Sequence, residues 1–77
     1  MKKVFAYKDL DLWQVSMGLV RDIYKTTKNF PPEEKFGLCM QLRRAAVSVP
    51  SNIAEGTSRQ TSREMIQFLY YALASLE

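Results

Sequence analysis

The chain has 77 residues, 47% of them hydrophobic and 25% charged, with Gly 3 and Pro 3, which fits one globular domain and excludes disordered, collagen-like and low-complexity classes. A net charge of +3 and a pI near 9.2 permit contact with nucleic acid without demanding it. Histidine is absent, which removes Ser-His-Asp and Cys-His catalysis, imidazole general bases and His-ligated metals.

The opening Met1-Lys2-Lys3-Val4-Phe5-Ala6-Tyr7-Lys8 has too short an apolar run for a signal peptide, which needs ~7–15 apolar residues. No stretch approaches the ~18 apolar residues of a membrane span, so no membrane partner is expected. Cys39 is the single cysteine. It allows neither an internal disulfide nor a Cys-based zinc site and suits a reducing cytoplasm.

The first predicted helix covers about residues 9–28. Asp9 is placed to cap it. Trp13, Met17, Val20 and Tyr24 recur at helical spacing, and Leu12, Leu19 and Ile23 widen that stripe. Lys25 and Lys28 suit the carbonyl end, and Asn29-Phe30-Pro31-Pro32 stops the helix.

The second predicted helix covers about 32–56. Proline fits its first turn, and Glu33 and Glu34 suit its positive end. Leu38, Leu42, Ala45, Val49 and Ile53 form its seam, with Phe36, Cys39, Ala46 and Val47 beside it. Pro50 falls inside the pattern, where it removes one hydrogen bond and costs ~3 kcal/mol. Because the seam runs on to Ile53, the helix is expected to continue through a kink there and to stop at Gly56.

The third predicted helix covers about 61–77. Thr61 and Glu64 have capping-box spacing. Ile66, Leu69, Leu73 and Leu76 form one seam, and Met65, Phe68 and Ala72 a second. Tyr70, Tyr71 and Ala74 fill the rest. A helix apolar all round is buried on several sides, and two other helices cannot surround it. Self-association is therefore expected, with Met65, Ile66, Phe68, Leu69, Tyr70 and Leu73 as the interface. The class is all-α, an antiparallel helical bundle.

Two constellations are candidates for function. Gln41, Arg44, Ser48, Asn52 and Glu55 share one face of the second helix, which Arg59 could extend beyond Gly56. They form either a ligand-facing strip or a structural network. In the network, Ser48 and Asn52 would satisfy backbone freed by Pro50 and Glu55 would pair with an arginine. Arg43, Arg44, Arg59 and Arg63 are a candidate nucleic-acid patch; the alternative is a solvated basic face or pairing with Glu55 and Glu64. Trp13, Tyr24, Tyr70 and Tyr71 could stack on bases but read as core and interface. Cys39 reads as a small buried hydrophobe. No catalytic carboxylate pair, phosphate loop, metal-ligand spacing or cofactor motif is present, so neither catalysis, a metal nor a cofactor is expected.

Several strings carry a resemblance. They are Tyr7-Lys8-Asp9-Leu10-Asp11-Leu12-Trp13-Gln14, Phe30-Pro31 with Phe36-Gly37-Leu38, and Phe68-Leu69-Tyr70 with Ala74-Ser75-Leu76-Glu77. The most specific runs unbroken from Gln41 through Val49-Pro50-Ser51-Asn52-Ile53-Ala54 to Glu55-Gly56, with Arg59 after it. Over nearly the whole chain the sequence resembles the bacterial 23S rRNA intervening-sequence proteins. The resemblance implies a four-helix bundle that assembles as a homopentamer, without enzymatic activity. Some members are encoded inside ribosomal RNA intervening sequences. A related branch serves diversity-generating retroelements, engaging reverse transcriptase and RNA. Members continue into a fourth helix, so this sequence is expected to be a truncated member or a fragment of one, holding three helical segments of that fold. The expected function is a non-catalytic, self-associating module that binds RNA, DNA or a nucleic-acid enzyme. The alternative is a purely structural oligomerisation protein.

Overall fold

A computed structural model describes residues 9–76, with Glu34 and Lys35 by backbone alone; the Met1–Lys8 reading and Glu77 lie outside the described residues. The described residues form helices joined by turns, with no strand. Helix α1 is Leu10–Thr27. A helical turn, Pro32–Glu34, and a π-helical segment, Lys35–Cys39, lead into α2, Met40–Ala54. Helix α3 is Arg59–Leu76. Arg59, at the start of α3, touches Asp9 at the start of α1, and Leu73 near its end lies by Asp22 and Lys25. Helices α1 and α3 therefore run parallel, and α2 runs against both.

The core is one cluster shared by all three helices. Helix α1 gives Leu12, Leu19 and Ile23; α2 gives Leu42, Ala46, Val49 and Ile53; α3 gives Ile66, Leu69 and Leu73. Leu19, Ile23 and Val49 have no exposure, and each contributes ~1.5–3 kcal/mol by burial. The buried face of α1 is Leu12, Ser16, Leu19, Ile23 and Thr27. The Trp13–Tyr24 seam is its flank rather than its centre. Two hydroxyls sit on the buried face because each donates within the helix: Ser16 Oγ to the Trp13 carbonyl and Thr27 Oγ1 to the Ile23 carbonyl, both at 2.7 Å. Satisfied in this way, small polar side chains are tolerated inside.

In the π segment Cys39 is buried as expected, but Leu38, expected in the seam, is 50% exposed. Counting back from Leu42, three residues reach Cys39 and four reach Leu38. Phe36 and Val47 also face out rather than flanking the core.

Helix α2 runs through Pro50, which is buried. Pro50 deprives the Ala46 carbonyl of its donor. Ser48 does not repair this: its hydroxyl donates to the Ala45 carbonyl at 2.7 Å, one residue away. Asn52 contributes its own carbonyl to the helix end instead. There the Thr57 N–H donates to Asn52 O at 2.9 Å and the Gly56 N–H to Ile53 O at 3.1 Å. This paired closure needs a left-handed residue, and Gly56 has φ 101°.

Two caps differ from expectation. Asp9 makes no side-chain cap bond; its carboxylate takes Arg59 instead, and Asp11 Oδ1 accepts the Leu12 N–H at 2.7 Å. Helix α3 is capped by Ser58, whose Oγ accepts the Thr61 N–H at 3.2 Å, not by Thr61. Glu64 accepts from Gln60 Nε2 at 3.1 Å.

Ser62 is buried with its hydroxyl unpartnered among the described residues. Ser62→Ala is expected to stabilise the chain by about 1 kcal/mol, because a buried unsatisfied hydroxyl carries its full desolvation penalty. Gly56→Ala should destabilise by about 1–2 kcal/mol through the left-handed backbone. Urea unfolding of both variants checks this; a Ser62→Ala chain less stable than wild type would contradict it.

Candidate nucleic-acid interface

The four arginines predicted as one patch have different surroundings. Arg43 is held against α1. Its Nε donates to Thr27 Oγ1 at 2.9 Å, and its guanidinium carbon lies 4.5 Å from the centroid of the Tyr24 ring. Thr27 can accept because its own proton goes to the Ile23 carbonyl. Tyr24 and Thr27 are three apart on α1 and so share a face, which gives the guanidinium a ring and an acceptor together.

Arg59 joins the starts of α1 and α3. Its Nη1 lies 3.1 Å from Asp9 Oδ1 and 3.6 Å from Asp11 Oδ1. It does not extend the polar stripe beyond Gly56. Arg44 and Arg63 are exposed and make no ion pair among the described residues.

Two separate surfaces result. Arg43 and Arg44 line a cleft with Tyr24, Met40 and Val47. Arg59 and Arg63 line another with Gln60, Glu64 and Gln67 on the first turns of α3. The two share no residue.

The polar stripe forms no network. Gln41, Arg44 and Glu55 are exposed, and Ser48 and Asn52 are half-buried. Glu55 pairs with no arginine among the described residues; Arg59 is with Asp9 instead. What the stripe provides is a solvated edge along α2.

Between α2 and α3 lies an apolar groove lined by Ala45, Thr61, Met65, Phe68 and Leu69, with Glu64 at its edge. Phe68 and Tyr71 are each 68% exposed. Tyr70 is exposed and Met65 half-buried. Ile66, Leu69 and Leu73, expected at the interface, belong to the chain's own core. Trp13 is half-buried, but Tyr24, Tyr70 and Tyr71 are surface aromatics rather than core. The Tyr24–Arg43 pairing joins residues on different helices, which helical spacing does not reveal. Its only trace in the sequence is the Tyr24–Thr27 spacing.

Among the described residues no group of three or more His, Cys, Asp or Glu could hold a metal. No described helix is long and apolar enough to cross a membrane. A family model described as 23S rRNA-intervening sequence protein matches residues 8–77. No curated protein and no solved structure matches the chain.

The Arg59–Asp9 contact generates a stability prediction. Arg59→Gln should cost about 1 kcal/mol at low salt, the upper range for a partly exposed ion pair. Part of that cost should vanish at about 1 M salt, where screening acts over ~3 Å. A double-mutant cycle with Asp9→Asn measures the coupling; a coupling indistinguishable from zero would leave the contact geometric only.

Proposed function

The chain belongs to the 23S rRNA-intervening sequence protein family, and from that premise we propose a non-catalytic, self-associating helical module that contacts RNA or DNA. The observation that carries self-association is the apolar surface of α3: Phe68, exposed in the groove with Met65 and Ala45, and the exposed Tyr71. Each large apolar side chain left in water forgoes ~1.5–3 kcal/mol. A small domain holds only about 5–15 kcal/mol of net stability. A second copy of the chain on this groove recovers that burial. The finer architecture belongs to the same proposal: these helices are three of a four-helix bundle, and the assembly is the homopentamer that the family resemblance implies.

Support for nucleic-acid contact comes from Arg44 and Arg63, exposed and without ion-pair partners among the described residues, and from Arg43, partly free. The reading of no turnover rests on the missing histidine and on the lack of a paired acid or phosphate loop. The cytoplasmic assignment rests on the single, buried Cys39. A purely structural oligomer is the second reading. It is favoured by Arg43 and Arg59 having intramolecular partners.

Light scattering at micromolar concentration should show an assembly larger than one chain. Phe68→Glu should dissociate it while keeping helical circular dichroism, and Lys25→Glu should change little. Leu69→Glu, at a core position, should unfold the chain instead. A folded wild-type monomer would overturn self-association.

For nucleic acid, three phosphates contacted by Arg43, Arg44 and Arg63 predict a log–log salt slope of roughly −2 to −3. The Arg44→Gln/Arg63→Gln double variant should bind RNA measurably more weakly. Equal binding by both proteins, or none by either at low salt, would favour the structural reading.

A further inference from the structure

We infer that the cleft between the end of α1 and the start of α2 takes an unpaired nucleotide. Its base would lie against the Tyr24–Arg43 pair and the apolar Met40 and Val47. Its phosphate would sit on the free amino groups of Arg43 and on Arg44. The inference rests on the nucleic-acid reading above and narrows it from nucleic acid in general to single strands.

The cleft contains the parts this ligand needs. Tyr24 is 43% exposed, although its position in an apolar seam suggested burial. The Arg43 guanidinium carbon lies over the ring, 4.5 Å from its centroid. Arg43 is fixed there by one N–H, its Nε on Thr27 Oγ1. Its two terminal amino groups donate to none of the described residues, so they keep the forked donor geometry that fits a phosphate. Because the side chain is already ordered, a ligand gains those bonds at less entropic cost than on a mobile lysine. Arg44 stands next to it, exposed, and supplies a second cation. Met40 and Val47, both half exposed, flank the arginines at spacings of three and four, so they share that face of α2.

Charge alone would suit any polyanion; the aromatic and apolar floor is what discriminates. A duplex presents phosphates and keeps its bases stacked on each other, so it meets the arginines and leaves the floor wet. An unpaired base brings a π-face that can stack on tyrosine or on a guanidinium plane. The Arg59–Arg63 surface, lined otherwise by Gln60, Glu64 and Gln67, has no such floor and serves as the internal contrast.

The test is fluorescence anisotropy with the full chain and three labelled RNA probes. These are an oligoadenylate of roughly eight nucleotides, within the usual single-strand site size, the same strand with abasic positions, and a hairpin stem of equal phosphate number. Wild type should bind the oligoadenylate about tenfold more tightly than either other probe, the scale of one stacked base. Tyr24→Ala should lose that margin, Tyr24→Phe should keep it, and Arg43→Lys, which keeps the charge without the plane, should lose most of it. Should Tyr24→Ala fail to fold by circular dichroism, the abasic comparison on wild type decides alone. Equal affinity for all three probes, unchanged by Tyr24→Ala, would overturn the inference while leaving general nucleic-acid binding intact. No binding of any probe at low salt would defeat both. Displacement of the oligoadenylate by oligoglutamate at matched charge would assign the cleft to an acidic peptide and overturn it.

Discussion

A bundle of three helices gives each helix two neighbours, and α3 has more apolar surface than two neighbours can cover. That constraint decides most of what the structure does. The face that α1 and α2 can reach, Ile66, Leu69 and Leu73, is buried with Leu19, Ile23 and Val49. The remaining circumference, Phe68, Tyr70 and Tyr71, is exposed. The relative placement of the helices is then fixed at the ends by polar contacts of known direction. Arg59 ties the starts of α1 and α3, and Arg43 ties the end of α1 to the start of α2.

Features decided by local chemistry were legible in the sequence. Gly56 ends a helix because the closing bonds need a positive φ, and a helix passes Pro50 because the apolar seam on both sides outweighs one lost hydrogen bond. The helical class followed from periodicity alone. Features decided by competition between neighbours were not legible. Ser16 and Thr27 occupy the buried face of α1 because their hydroxyls find carbonyls within the helix, an outcome that counting apolar residues cannot register. Asp9 had two possible uses, and the guanidinium of a residue fifty positions away took it. Cys39 and Leu38 both stand about one turn before Leu42, and of the two only Cys39 is buried.

The arginine cluster shows how proximity in sequence misleads about proximity on a surface. Arg43 and Arg44 line one cleft, with Arg43 packed on α1 and Arg44, about 100° round the helix, in solvent, but Arg59 and Arg63 lie on a different surface. Arg59 and Arg63 are four apart and do share a face, but Asp9 and Asp11 draw the first of them towards α1. Four formal charges thus reduce to two exposed ones and two with structural duties. Tyr24, 43% exposed beside Arg43, adds an aromatic surface to that charge.

The two surfaces on α2 are compatible with one another. Ala45 lies in the groove facing α3, while Val47 lines the arginine cleft facing α1. Two residues apart on a helix places them about 200° apart around the axis. A second copy seated on the groove therefore leaves the Tyr24–Arg43 cleft open, and an assembly presents one such cleft per chain. A single cleft holding one nucleotide is weak by itself. Several clefts held at fixed spacing act on one strand together, because once the first nucleotide is bound the next encounters its cleft at an effective concentration in the millimolar range for short connections. On this reading self-association does more than cover apolar surface. It would convert a weak, sequence-tolerant contact into retention of a continuous single strand, with the proposed groove and cleft working from opposite sides of the same helix.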